Sequence, residues 1–237
     1  MHTLPALLSA TFILTTGLAV GLLYRAAHRS RRLLGALVAW VLVQGAVAAS
    51  GFYEVTSTLP PRFALVLGPA FLVIGALVGT ARGRNFMRSW RLDILTLLHS
   101  VRVPVELVLF GLFVQGSIPQ LMTFEGRNWD ILAGLTAPVV YYLAYRKNVL
   151  GPKALLAWNL LSLVSLFNIV GIALLAAPTP FQRLAFEQPN VAVLHFPFVW
   201  LPACVVPIVL VAHVAALLQL ATKSTPLMRP GKVSVIG

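Results

Sequence analysis

His99, Arg102 and Glu106 lie within one long apolar run, and their spacing of i, i+3 and i+7 sets all three on one face of a helix. Ionisable groups inside such a run cost about 2.5–3.5 kcal/mol each to place in a bilayer, so they demand a partner, a water-filled cavity or a function. Arg102 and Glu106 stand i, i+4 apart and can neutralise one another, while His99 extends the stripe into the wall of a cavity. A charged pair that only braces the helices is the plain structural alternative. The connection from Gln115 to Asp130 crowds Glu125, Arg127, Asn128 and Asp130 together in a chain with six acids in all. It joins the run carrying Glu106 directly, so it is placed to fold over that face. Asp130 also suits the N-cap of the helix that follows, and Glu125 and Arg127 also suit solvated surface.

Other polar groups reach a similar depth from elsewhere in the chain. Asn168, with Ser165 before it, falls in the outer half of a later run; Glu54 ends an earlier one; His195 stands at the rim of the last. Depth alone groups Arg102, Glu106, Glu125, Arg127, Asp130, Asn168 and His195 into an outward-opening pocket for a small polar ligand or ion. Its arginines suit an anion, its acids suit a cation, and protonation of Glu106 or His195 suits gating.

Metal chemistry would use His195 with Glu106, Glu125 and Asp130, a donor set suited to zinc or another divalent transition ion. No HxxxH or HExxH spacing supports it. His99 and His213 lie at equal depth, which is the arrangement a bis-histidine haem requires, whereas a lone His213 on an apolar face ordinarily bonds a carbonyl or a hydroxyl. A serine nucleophile lacks its GxSxG turn, and Ser100 beside His99 points to a different helix face. Phosphate-binding motifs are missing. A retinal Schiff base needs a lysine deep in a span, and all four lysines lie in connections or the tail. Cys204 alone excludes an intramolecular disulfide, and with nothing basic beside it reads as a small buried hydrophobe.

The elements that must carry these residues follow from composition. The chain is 59% hydrophobic and 10% charged, against roughly a quarter charged in a globular domain, which excludes a soluble protein. A bilayer core of about 30 Å needs about 20 apolar residues as helix. Seven runs qualify, at 4–24, 33–53, 63–81, 92–115, 130–146, 154–177 and 196–221. Pro104, Pro138, Pro202 and Pro207 predict kinks, each freeing a carbonyl that a neighbour must satisfy. The first run lacks a basic segment before it and has arginines after it, as a retained first helix does.

Basic residues then fix the expected orientation. Arg25, Arg29, Arg31 and Arg32 follow the first run, Arg82, Arg84, Arg88 and Arg91 the third, Arg146, Lys147 and Lys153 the fifth, and Lys223, Arg229 and Lys232 the seventh. Only Arg62, Arg127 and Arg183 fall on the other side, so the net charge of +12 is a positive-inside signal rather than a nucleic-acid footprint. The expected fold is an all-α, polytopic integral membrane bundle of seven transmembrane helices, N-terminus outside and C-terminus inside. Residues 1–222 form its single domain and 223–237 a flexible cytoplasmic tail.

Gly17 with Gly21, and Gly75 with Gly79, have the small-xxx-small spacing of close helix packing within the bundle; a homo-oligomer is not indicated. Trp129 and Trp200 on the outer boundary and Trp90 on the inner one read as an aromatic belt. No internal repeat is seen. Arginine outnumbers lysine 14 to 4, which suggests a GC-rich bacterial genome and hence the inner membrane. The reading that fits best is a protein that binds, transports or senses a small polar ligand or ion. Alternatives are a membrane-embedded enzyme, metal-dependent or not, acting on a lipidic substrate through His195 and the carboxylates, and a structural subunit whose charges only lock helices together.

Overall fold

The computed structural model describes residues 3–224, with side chains described for residues 6–221. Its regular elements among the described residues are all helical: α1 (Thr3–Ala26), α2 (Arg31–Ala49), α3 (Ala64–Gly79), α4 (Ala81–Arg88), α5 (Leu92–Leu98), α6 (Arg102–Val114), α7 (Asp130–Tyr141), α8 (Pro152–Ala176) and α9 (Val206–Ser224). α5 and α6 run on through the 3-10 turn His99–Val101 as one apolar rod, Leu92–Val114, and the π-helical turn Leu201–Val205 extends α9 in the same way. Among the described residues five helices are long and apolar enough to cross a membrane, or six when α3 and α4 count together. They fit a multi-pass membrane protein. The fifth run keeps its expected bounds, 130–146: α7 is a 12-residue helix continued by the five-residue π-helical turn Tyr142–Arg146. The tail expected at 223–237, with Arg229 and Lys232, lies outside the described residues except for the last turn of α9.

Burial ranks the helices. The span Leu201–Ala221 is 72% buried and Arg31–Ala49 only 17%, so α9 is the axis of the bundle and α2 its periphery. α9 packs on α8, α5, α4, α1 and α3, and α7 lies against the α5–α6 rod. The third expected run does not end in a loop. α3 turns through 91° into α4, because the Thr80 hydroxyl caps the amide of Gly83 at 3.1 Å and Arg84 bonds the terminal carbonyls of Val78 and Gly79. The short helix exposes Arg82 and Arg88 and buries Gly83 and Met87, as a helix lying along an interface does.

The prolines act as their positions dictate. Pro104 sits in the first turn of α6, where its missing N–H costs nothing. Pro207 frees the carbonyl of Ala203 four residues earlier, and the Trp40 indole of α2 donates to that oxygen at 2.8 Å. Trp200 returns the contact by donating to the Val41 carbonyl at 2.8 Å, over Gly45, where a Cβ would stand 3.2 Å from its ring. Trp90 and Trp200 are therefore buried, and of the expected belt only Trp129 is exposed.

The glycine spacing also corrects an expectation. A Cβ at Gly17, Gly21, Gly75 or Gly79 would meet nothing within 4 Å, because α1 and α3 turn these faces away from the bundle. Close approach occurs instead at Gly111, where α1 seats Leu8, and at Gly134.

One end of the bundle gathers the basic connections. His28 meets the Ser89 carbonyl at 2.6 Å, the Arg91 amide donates to Ala26 at 2.9 Å, and Gln219 donates to Met87 and Trp90 carbonyls. At the other end the α6–α7 and α8–α9 connections interlock: the amides of Val191 and Ala192 share the Ser117 carbonyl, and Gln188 donates to Ile118.

Candidate functional site

Arg102 opens α6, and its guanidinium passes between three helices. Nη1 donates to Asp130 Oδ1 at 2.8 Å and to the Ser162 carbonyl at 3.1 Å; Nη2 meets His213 Nε2 at 2.5 Å. A guanidinium only donates, so His213 accepts through Nε2. Its proton is then on Nδ1, which donates to Asn159 Oδ1 at 3.1 Å, while Asn159 Nδ2 donates onward to the Leu155 carbonyl. Ser165 adds a second donor to Asp130 Oδ1 at 2.8 Å. Arg102, Asp130, Asn159 and His213 are all buried.

α7 reaches Arg102 because of Gly134, one turn after Asp130. A Cβ at Gly134 would lie 2.9 Å from the Val103 backbone nitrogen and 3.1 Å from Arg102 Cβ, closer than packed atoms allow. Asp130 is thus not the N-cap of α7, a position Trp129 holds; it is the first helical residue and points inward.

Glu106 does not pair with Arg102. Its Oε1 accepts from Asn128 Nδ2 at 2.5 Å, Asn128 also donates to the Met122 carbonyl, and Asn128 Oδ1 receives the Asp130 amide at 3.0 Å. The α6–α7 connection therefore does fold over the Glu106 face, with Asn128 as the joint between the two acids. Asp130 wins Arg102 because it approaches from across the bundle, at the height of the guanidinium. Glu106 Oε2 has no partner among the described residues. A cavity of about 60 Å³ lies beside it, lined by Glu106, Asp130 and Asn190 among apolar residues such as Leu109 and Ile169. Asn190 Oδ1 is a second buried oxygen without a partner there. The volume holds a few waters, each needing about 10–15 Å³ by this measure.

His99 stacks on His213, with ring centroids 4.0 Å apart and planes 24° apart, and meets the edge of Trp158. The bis-histidine haem expectation fails on this geometry. An axial pair points ring nitrogens at one iron from opposite sides, whereas these rings lie face to face and both His213 nitrogens are engaged.

The remaining expected residues lie apart. His195 Nδ1 is 3.2 Å from Glu54 Oε1, both side chains about half exposed. Glu125 and Arg127 are exposed, and Asn168 donates to the Arg127 carbonyl at 2.7 Å from the surface. The proposed metal set of His195, Glu106, Glu125 and Asp130 is accordingly not assembled, since His195 and Glu125 stay at the surface while Glu106 and Asp130 are internal. No group of three or more His, Cys, Asp or Glu gathers as a metal site among the described residues. The single outward pocket is divided into an internal network and a rim.

Asn128, Asn159 and the Ser162 carbonyl were not expected in the site. A signal for α8 exists: Asn159, Ser162, Ser165 and Asn168 recur every three residues. At about 100° per residue each step turns the position back by about 60°, so Asn159 and Asn168 fall on opposite faces, one buried and one exposed.

The chain matches the family described as Domain of unknown function (DUF8737) over residues 59–221. It belongs to that family. The match to DUF8737 takes in α3 to α9 and every side chain of the internal network, and leaves out Glu54 of the rim pair. No curated protein and no solved structure matches the chain.

Proposed function

We propose that this DUF8737 protein is a seven-span bundle, N-terminus outside and C-terminus inside a cell membrane, that binds a small cation or proton at Glu106. The observation that carries this reading is the unpartnered, buried Oε2 of Glu106, a residue that lines a cavity together with Asp130 and Asn190. A buried carboxylate oxygen without a donor is costly, and a proton, or a cation with its waters, completes it. Charge supports the sign. Arg102 stands against Asp130 and Glu106, leaving one negative charge, and Nη1 and Nη2 of its guanidinium are already bonded to Asp130, Ser162 and His213, with only Nε lacking a partner among the described residues. Size supports the class, since about 60 Å³ admits an ion and waters but not an organic ligand. The basic end of the bundle faces the cytoplasm by the positive-inside rule, and the arginine-rich composition fits a bacterial inner membrane. Bilayer lipid is the surrounding partner.

Purified protein in vesicles, loaded with a pH-sensitive dye and challenged with Na⁺, K⁺ or a proton gradient, tests the proposal. Binding or flux of one of these cations is expected, lost in Glu106→Gln and retained in Glu125→Gln. Equal behaviour of Glu106→Gln and the wild type returns the network to a purely structural brace.

A second reading, an enzyme acting on a lipid, rests on a groove of about 780 Å³ between α7 and α8. Trp129 and Arg127 stand at one end, and Ser162 and Ser165, which touch the network, lie along it. Labelled phospholipid left intact by the reconstituted protein would remove it.

A further inference from the structure

A separate apolar groove of about 370 Å³ lies near the basic end, between α2, α3 and α9. Leu37 and Trp40 of α2, Ala70 and Leu77 of α3, and Phe86 and Trp90 of the α4 segment line it. On α3 the lining runs from Pro69 to Leu77, about 12 Å along the helix axis, so the groove is a slot rather than a bowl. Its closed sides are helices and its long axis follows them, the shape and direction of an acyl chain in a leaflet.

The charges at its mouth select the headgroup. Arg31 and Arg32 open α2 within one turn of Leu33, a lining residue, and on α4 Arg82 stands one turn before Phe86 and Arg88 two residues after it; all four are exposed. Arg84 is held back, bonded to the Val78 and Gly79 carbonyls. No acidic residue occurs between Glu54 and Asp93, and Asp93 is bonded to Arg91 at 2.8 Å. A second observation points the same way. Trp90 is 3% exposed, yet its indole Nε1 has no acceptor among the described residues. It lies in the lining at the charged end, where a phosphate or ester oxygen supplies the acceptor it lacks.

We infer that this groove is a binding site for one anionic glycerophospholipid, its acyl chain between α2 and α3, its phosphate on Arg31, Arg32, Arg82 and Arg88, and an ester or phosphate oxygen on Trp90. Basic pockets between spans on the cytoplasmic side bind anionic headgroups in this manner. The inference rests on the basic end facing the inner leaflet but not on ion binding at Glu106.

Full-length protein released from nanodiscs of equal phosphatidylglycerol and phosphatidylcholine, with retained lipid counted by native mass spectrometry, provides the test. Wild type is expected to retain phosphatidylglycerol about tenfold over phosphatidylcholine. The preference should vanish in R31Q/R32Q/R82Q/R88Q. Ala70→Trp, which fills the slot without touching a charge, should lose retention of both lipids, and Trp90→Phe should weaken it. Thermal unfolding confirms that each variant is folded, and if Ala70→Trp is not, Ala36→Trp fills the same slot from α2. Equal retention of the two lipids by wild type overturns the inference, as does undiminished retention in the filled-slot variant. Either result leaves the Glu106 reading standing.

Discussion

Two pairs of basic and acidic side chains at similar distances occupy opposite environments in this bundle. Arg102 and Asp130 meet at 2.8 Å with side chains only 3% and 8% exposed, whereas His195 and Glu54 meet at 3.2 Å with 49% and 52% exposed. Distance alone would rank them as near equals. Burial separates them, because a charge in the interior of the bundle that loses its partner has little water to turn to, while a rim charge is resolvated as it leaves. The internal pair is also held by Ser162, Ser165, His213 and Asn159, so disturbing one member strands several others.

The largest break in this contrast is removal of one internal partner. Asp130→Ala should lower stability by about 3–5 kcal/mol, the cost of an uncompensated buried charge, read as a fall in the unfolding midpoint in detergent. Replacing both partners, Arg102→Met with Asp130→Leu, should recover most of that loss, and a double-mutant cycle would measure the coupling. Arg102→Lys should fail to rescue, since a single ammonium cannot span Asp130, His213 and the Ser162 carbonyl at once. Single variants no worse than the double would show that the pair is not what holds the network.

Backbone proximity sharpens the comparison next. Gly134→Val forces a side chain against Val103 and Arg102 and should cost about 1–3 kcal/mol as overpacking. Gly75→Val, on an open face, should stay within about 0.5 kcal/mol of wild type. Asn128→Ala should follow, at about 1–3 kcal/mol, because it removes the only donor to Glu106 among the described residues and the cap on the Asp130 amide. Thermal unfolding of the three variants together checks the order. A silent Asn128→Ala would mean that water takes over both bonds.

The long apolar helices, five or six of them able to cross a membrane among the described residues, are legible because length and apolarity are one-dimensional properties of a chain. The 91° turn at Thr80 is not, since an arginine-rich stretch after a span reads as a loop unless its alternation of exposed Arg82 and Arg88 with buried Gly83 and Met87 is followed residue by residue. Within the site, His99, Arg102 and Glu106 share a buried face as their spacing implies. Their partners were hidden because depth can be read along a helix while its rotation about its own axis cannot. That is why depth groups Asn168 inward although it faces outward, and why spacing pairs Glu106 with its neighbour four residues away although Asn128 holds it. Asp130 in fact reaches Arg102 through a glycine contact between helices. His213, expected to bond a carbonyl or hydroxyl, donates to the side-chain carbonyl of Asn159 and also accepts from the Arg102 guanidinium.

The smallest expected effect lies at the rim and is the one that decides whether the two regions are functionally distinct. Glu54→Gln and His195→Gln should each change stability by less than about 1 kcal/mol, because two half-exposed groups gain little from each other in high dielectric and lose rotamer freedom in meeting. The difference should shrink further as salt rises from about 0.05 to 0.5 M, across which screening cuts surface attraction. Neither substitution should alter cation binding or flux in vesicles, since neither residue lines the Glu106 cavity. Loss of that activity in His195→Gln, with stability unchanged, would join rim and interior into one route and overturn the separation drawn between them.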